Sequence, residues 1–227
     1  YRIIHLINEG VDPFNILALT FTNKAALEMK NRISLITSES VSRSIWMGTF
    51  HSIFARILRS EAPLIGYPTN FTIYDTYDSE KLISNIIKEK KLDKDTYKAK
   101  SIKNRISSLK NNFITVENYF NNSELIEVDK AAKRDLFGEI YQEYVRRCFK
   151  ASVMDFDDLL LKTNELLNKS PETLLKYQQK FKYILVDEYQ DTNYSQYLIV
   201  KALADRHENL CVVGDDSQSI YSFRGAN

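Results

Sequence analysis

Four short apolar runs, each rich in residues that favour β-strands, recur along the chain. They are 16–21 (ILALTF), 45–49 (IWMGT), 183–188 (YILVDE) and 210–215 (LCVVGD). The first three are followed by segments whose apolar residues recur at helical spacing, namely NKAALEMKNRI, FHSIFARIL and YSQYLIVKALA. Apolar strands that alternate with amphipathic helices indicate an α/β fold, with a parallel sheet covered by helices on both faces.

The middle of the chain has a different pattern. Between about residues 77 and 152 there is no strong apolar strand, and the clearest segments, SEKLISNIIKEKK and GEIYQEYVRRCF, are charged and helical in spacing. We therefore predict an all-helical insertion within the α/β domain. The opening YRIIHLI also has a helical pattern.

The charge of the whole chain is uninformative, but one stretch is basic. Of 227 residues, 44% are hydrophobic and 27% charged, and the formal net charge is +1, which argues neither for nor against a nucleic-acid partner. Between Lys88 and Lys110 nine Lys and Arg residues face three acids, a local charge of +6. This stretch is either a solvated helical surface or a surface that faces phosphates.

Cysteine usage and hydropathy place the chain in a reducing compartment. Cys148 and Cys211 lie far apart in sequence, and two cysteines imply neither a disulfide framework nor a zinc site. Cys211 stands in an apolar run and is expected in the core. No apolar run approaches the roughly 18 residues that a membrane span needs, and the first residues lack a signal-peptide layout. We expect a cytoplasmic protein without membrane contact.

Polar or small residues follow each of the four apolar runs, where a parallel sheet would place its ligand site. Asp187 and Glu188 end the third run. Asp187 could hold Mg²⁺, which takes one or two carboxylates together with phosphates, and Glu188 could accept a proton from an attacking water. Taken alone, an Asp-Glu pair is more often two solvated acids at the start of a loop. A two-metal nuclease would need more converging acids than this run supplies.

Five blocks of the sequence resemble the motifs of UvrD/Rep-type superfamily-one DNA helicases, in the family's order. They are LALTFTNKAALEMKNRI (17–33), GTFHSIFARILR (48–59), DFDDLL (155–160), YILVDEYQDTN (183–193) and VVGDDSQSIYSFRGAN (212–227). The resemblance implies a RecA-like P-loop NTPase domain, here partial, formed by 1–76 and 153–227, with a helical subdomain at 77–152 that contacts duplex DNA. It also implies translocation on single-stranded DNA, 3′ to 5′, driven by ATP with Mg²⁺, in a cytoplasmic protein associated with the bacterial nucleoid.

The resemblance also implies roles for individual residues. Asp187 and Glu188 carry over as the metal-associated acid and the catalytic base, and Gln218 as the amide that senses the γ-phosphate. Gln190 and Asp191 would support that site. The single-strand contacts carry over to Thr20, Phe21, Thr22, Asn23, Thr49, Phe50, His51, Tyr221, Phe223 and Arg224.

Several of these residues also have an ordinary structural interpretation: Gln218 could be a polar loop residue, and His51 could be a structural histidine. Tyr221 and Phe223 could stack on bases, with Arg224 on a phosphate, or could be core residues. Phe223 stands where the family usually has tryptophan, which weakens the expected stacking but not the role. His51 is expected to be a hydrogen-bonding group rather than an acid catalyst.

The sequence contains no phosphate loop of the form GxxxxGK[ST]. In the family that loop lies just before the helix that YRIIHLINEG would continue, so we expect the sequence to be a piece of a longer protein. We also expect residues 1–227 alone neither to bind ATP tightly nor to hydrolyse it. The remaining alternatives are the helicase portion of a helicase-nuclease and a non-motor DNA-binding protein with an inactive ATP site.

Overall fold

The computed structural model describes residues 1–215, which form twelve α-helices and six β-strands within that range. The strands are β1 (Ile16–Thr20), β2 (Trp46–Thr49), β3 (Thr72–Tyr74), β4 (Val153–Asp155), β5 (Tyr183–Val186) and β6 (Leu210–Val212). The helices are α1 (Arg2–Asn8), α2 (Asn23–Ile36), α3 (Glu39–Ser44), α4 (Phe50–Glu61), α5 (Thr76–Glu89), α6 (Ala99–Asn111), α7 (Val116–Phe120), α8 (Ser123–Ala131), α9 (Phe137–Lys150), α10 (Phe156–Lys169), α11 (Pro171–Lys180) and α12 (Tyr194–Ala204).

The four predicted strands form one sheet in the order β2-β1-β5-β6, and every neighbouring pair is parallel. All five residues of the central strand β1 are buried. Leu17 and Leu19 face a core shared with α4, α10 and α12, whereas Ile16 and Ala18 face a second core shared with α1 and α2. The sheet is thus covered on both faces, which confirms the predicted α/β class.

Helix α4 shows why the apolar spacing was informative. Five of its residues share one face and all are buried, so that the helix packs its apolar stripe on the sheet. They are Phe50, Ile53, Phe54, Ile57 and Leu58.

The middle of the chain is helical and has a core of its own. Helices α5 to α9 pack around Ile83, Ile102 and Tyr141, which are fully buried in a cluster separate from those of the main sheet. Strands β3 and β4, which flank this segment, pair in parallel as a second, two-stranded sheet. The sequence did not predict these strands, because three residues are too few to establish a period-two pattern.

Two expectations from the sequence are wrong. Lys110, counted in the basic stretch, is fully buried and forms ion pairs with Asp155 and Asp158. Cys211 is half-buried rather than in the core, because β6 is the last strand of the sheet within the described residues.

No helix within residues 1–215 is long and apolar enough to cross a membrane.

Candidate functional site

The carboxyl ends of the strands meet at one edge of the sheet. Thr20 at the end of β1 is in register with Thr49 at the end of β2, and Leu19 is in register with Val186 at the end of β5. The backbone N–H of Asp187 donates to the carbonyl oxygen of Leu19 at 2.9 Å. The residues that follow these strands therefore lie side by side. The sequence predicted that they form a site.

Asp187 is half-buried beside an open cavity. Burial and then the charge of Glu188 raise the pKa of its carboxyl group above the ordinary value of 3.8. The cavity has a volume of about 500 Å³ and is lined by α1 and α2, with Ile3, Met29 and Arg32 among the lining residues. A carboxylate that lacks an ion-pair partner within residues 1–215 and faces such a space is suited to a cation.

The number of acids at this edge suits a site for a single Mg²⁺ ion better than a two-metal centre. No group of three or more His, Cys, Asp or Glu side chains within residues 1–215 is arranged to hold a metal ion. Mg²⁺ usually needs only one or two carboxylates, because waters and substrate phosphates supply its other ligands. Asp187, with Glu188 next in sequence, meets that requirement, whereas the nuclease alternative gains no support from the described part of the chain.

Glu188 has an unusual backbone conformation. Its φ is 55° and its ψ is 45°, in the left-handed region that residues with a side chain seldom adopt. The chain then makes a single 3₁₀ turn over Tyr189–Asp191 before α12. Glu188 is exposed at the sheet edge, whereas Asp191, the last residue of the 3₁₀ turn, is buried.

Threonine side chains cap the N-termini of α2 and α4, the helices that follow β1 and β2. The Thr22 side chain accepts a hydrogen bond from Ala25 N–H at 3.1 Å at the start of α2. Thr49 accepts one from Ser52 N–H at 3.3 Å at the start of α4. These are helix N-caps, which satisfy backbone N–H groups that would otherwise be unpaired in the first turn of each helix.

Burial separates the proposed DNA contacts into two groups. Thr20, Phe50 and Thr49 are 0%, 2% and 9% exposed, and Phe50 packs on Phe54 with a ring separation of 6.1 Å. These three lack the exposed surface that a direct contact with DNA needs, because a strand's last residue and a helix's first residue can both face the core. Thr22 and Asn23 are exposed, and Phe21 and His51 are partly exposed.

An aromatic residue that was not among the predicted contacts lies beside His51. Phe156, at the start of α10, is 53% exposed, and its ring centroid lies 5.8 Å from that of His51. Burial lowers the pKa of His51 below 6.5, and the charge of Asp157 partly opposes this, which favours a neutral imidazole. The sequence did contain a signal for this contact, because a phenylalanine interrupts a run of acids at a helix start in the DFDDLL motif.

The remaining predicted site residues, Gln218, Tyr221, Phe223 and Arg224, lie outside the described residues.

Comparisons with known proteins match the entire sequence. A family model described as "UvrD/REP helicase N-terminal domain" covers residues 1–227. Three proteins named "ATP-dependent DNA helicase PcrA" are similar over 100% of this chain: that of Bacillus subtilis is 46% identical, that of Staphylococcus epidermidis 44% and that of Leuconostoc citreum 43%. The chain spans about 30% of the length of these relatives.

Proposed function

Because the chain belongs to the UvrD/REP helicase family, we propose that it forms the first RecA-like motor domain of an ATP-dependent DNA helicase. The observation that carries this proposal is the common edge of β1, β2 and β5, at which the acid pair and the capped starts of α2 and α4 lie together. One edge can then respond both to a nucleotide and to a DNA strand.

Two acids and one amide would serve ATP hydrolysis. Asp187 would hold Mg²⁺, and Gln218 would contact the γ-phosphate. Bound Mg²⁺ supplies positive charge against the phosphate oxygens. Glu188, exposed at the same edge, would accept the proton of the attacking water. ATP and Mg²⁺ are thus the proposed cofactors.

Exposed residues at the same edge would contact single-stranded DNA. Phe21 and the Phe156–His51 pair offer ring faces, on which bases stack without regard to sequence. Thr22 and Asn23 lie at a helix start, where N–H groups favour phosphate. Thr20, Thr49 and Phe50 would support these contacts from beneath, and Tyr221, Phe223 and Arg224 would extend the surface.

The helical segment at 77–152 would contact duplex DNA, and residues 1–76 and 153–227 would form the motor part. The basic stretch of the helical segment keeps exposed or half-exposed cations near the start of α6, namely Lys98, which immediately precedes the helix, and Lys100 and Lys103 within it. We propose that the protein translocates 3′ to 5′ on single-stranded DNA, unwinds duplex, and acts in the cytoplasm at the nucleoid.

Strand displacement by the full-length protein that carries this chain tests the proposal. We expect ATP hydrolysis that single-stranded DNA stimulates, with unwinding of a duplex that bears a 3′ tail. Glu188→Gln should abolish both activities while retaining DNA binding, and residues 1–227 alone should not hydrolyse ATP. DNA binding without any ATP hydrolysis would instead support the non-motor alternative. Unwinding only from a 5′ tail would refute the polarity.

A further inference from the structure

The side-chain amide of Gln190 joins the ends of two strands. Its Nε2 donates to Oε2 of Glu188 at 2.6 Å, and its Oε1 accepts from the backbone N–H of Asp215 at 3.1 Å. Glu188 follows β5 and Asp215 follows β6. One neutral side chain therefore contacts both the exposed acid and the segment beyond the neighbouring strand.

The orientation of this amide follows from its partners. A carboxylate can only accept a hydrogen bond and a backbone N–H can only donate one, so the nitrogen must face Glu188 and the oxygen must face Asp215. A glutamine satisfies both partners at once. Glutamate would satisfy only the N–H of Asp215, and an apolar side chain would satisfy neither.

The backbone around the bridge is shaped to allow it. The left-handed conformation of Glu188 reverses the chain, so that Gln190, two residues later, reaches back to the Glu188 carboxylate. Tyr189 N–H donates to Val213 O at 2.9 Å, which holds the turn against the end of β6. A Cβ added at Gly214 would lie 2.7 Å from Oε1 of Gln190, so a side chain there would displace the amide.

We propose that Gln190 is a positioning residue, which fixes the orientation of the Glu188 carboxylate and makes it depend on the segment that follows β6. This inference rests on the proposed function, in which Glu188 is the proton acceptor. Gln218, the proposed γ-phosphate contact, lies three residues after Asp215 in the sequence. A shift of residues 213–215 is transmitted through the Gln190 amide to the Glu188 carboxylate. Glu188 is aligned only when those residues are in place.

Two substitutions in the full-length protein separate this role from a structural one. Gln190→Glu keeps an oxygen for the Asp215 N–H but loses the donor to Glu188, and Gln190→Met keeps the length of the side chain but loses both bonds. The matched control is Gln179→Glu, which makes the same change on the exposed surface of α11. The measurements are kcat for ATP hydrolysis at saturating single-stranded DNA, the Kd of a fluorescent mant-ATP probe, and the melting temperature.

We expect both Gln190 variants to lose kcat by roughly 10- to 100-fold, the loss that follows when a reacting group is misaligned. The Kd of mant-ATP and the melting temperature should stay at the wild-type values, because the amide does not contact the nucleotide in this role. Gly214→Ala should lower kcat in the same way, since it displaces the amide without changing it.

Two results would overturn the inference. One is a kcat for Gln190→Glu equal to that of Gln179→Glu. The other is a fall in kcat that is matched by weaker mant-ATP binding and a lower melting temperature, which would make Gln190 merely structural. Wild-type protein without ATP hydrolysis would instead refute the proposed function, so the two failures are distinguishable.

Discussion

Glu188 combines an exposed carboxylate with a backbone conformation that its side chain disfavours. A residue with a Cβ in the left-handed region costs about 1–2 kcal/mol relative to the right-handed one. Glu188 adopts this conformation, with φ 55°, in a turn that brings the Gln190 side chain into hydrogen-bond contact with the Glu188 carboxylate. Strained residues of this kind cluster at functional sites.

Two substitutions at Glu188 should differ in stability but have the same effect on activity. Glu188→Gly should be more stable to urea than Glu188→Ala by about 1 kcal/mol, because only glycine adopts positive φ without steric cost. Both variants should lack ATP hydrolysis in the full-length protein. The matched controls are Glu208→Gly and Glu208→Ala, at a residue whose φ is 53°. Equal stability of the Gly and Ala variants at residue 188 would contradict the strain.

His51 should make stability depend on pH. Burial lowers its pKa in the folded state, and the charge of Asp157 partly opposes this. Below the ordinary histidine pKa of 6.5 the unfolded chain therefore takes up a proton that the folded chain does not. Stability therefore falls as the pH falls below that value, and it recovers as the pH rises. Urea unfolding of wild type and His51→Gln at pH 7.5 and 5.5 should show the smaller loss for His51→Gln.

The control for this measurement is His5→Gln, which makes the same change on the exposed surface of α1. A loss of stability in His51→Gln equal to that of wild type would show that His51 is not the group responsible.

Among the secondary-structure elements, the end of α6 is anchored by a buried cation. Nζ of Lys110 lies 2.7 Å from Oδ2 of Asp155 and 2.8 Å from Oδ1 of Asp158, and all three side chains are buried. Ser195 at the start of α12 donates to the Lys110 carbonyl oxygen at 2.8 Å. The helical segment is thereby fixed to α10 and to the helix that follows the acid pair.

The two aspartates of this cluster are not equivalent. Asp155 accepts from Lys110, from the Tyr144 hydroxyl at 2.7 Å and from Asp158 N–H at 2.8 Å. Although burial opposes it, the Lys110 charge and these donors lower the pKa of Asp155 below 3.8. Asp158 has fewer donors, so burial and the charge of Asp155 raise its pKa to about 6.

Asparagine substitutions at these positions should therefore differ in effect. At pH 8, Asp155→Asn should lower the free energy of unfolding, because the ionised form of Asp155 stabilises the fold above pH 3.8. Asp158→Asn should leave it unchanged or raise it, since wild type loses stability as the pH rises through the interval from 3.8 to about 6. Urea unfolding at pH 5 and pH 8 measures both effects, and equal destabilisation at pH 8 would contradict the difference.

At the scale of the whole molecule, the basic stretch is less extensive than its composition suggests. Lys110 is internal, Arg105 pairs with Asp129 at 3.1 Å, and Lys90 pairs with Glu139 at 2.6 Å. Lys98, Lys100 and Lys103 have no acidic partner within the part of the chain that the structure describes. Together with Lys88, Lys91 and Lys94, which are exposed and also form no ion pair within residues 1–215, they are the cations of this stretch that remain available to a phosphate backbone.

Reversing these three charges should weaken duplex binding by the full-length protein. The slope of log K against log salt should lose about 0.9 for each phosphate contact removed. The triple variant Lys98→Glu, Lys100→Glu, Lys103→Glu is compared by fluorescence anisotropy with a control in which Lys169, Lys182 and Lys201, all exposed and outside 77–152, are reversed. Equal losses in both variants would mean that net charge alone is responsible.

The sequence alone determined the elements and their order. The spacing of apolar residues in α4 and the apolar runs of β1, β2 and β5 are local properties, so the pattern predicts them without knowledge of distant contacts. The meeting of the strand ends also followed, because parallel strands bring their carboxyl ends to one edge.

Only the tertiary structure decided which side chains are exposed and which polar groups meet. The sequence predicted a surface cation at Lys110, but in the structure it is buried against Asp155, which lies 45 residues later in the chain. Thr20 and Phe50 were predicted to contact DNA, but the structure buries both in the core. Gln190 contacts a residue 25 positions away. Burial and hydrogen bonding depend on neighbours that are distant in sequence, and a local pattern of apolar and polar positions carries no information about them.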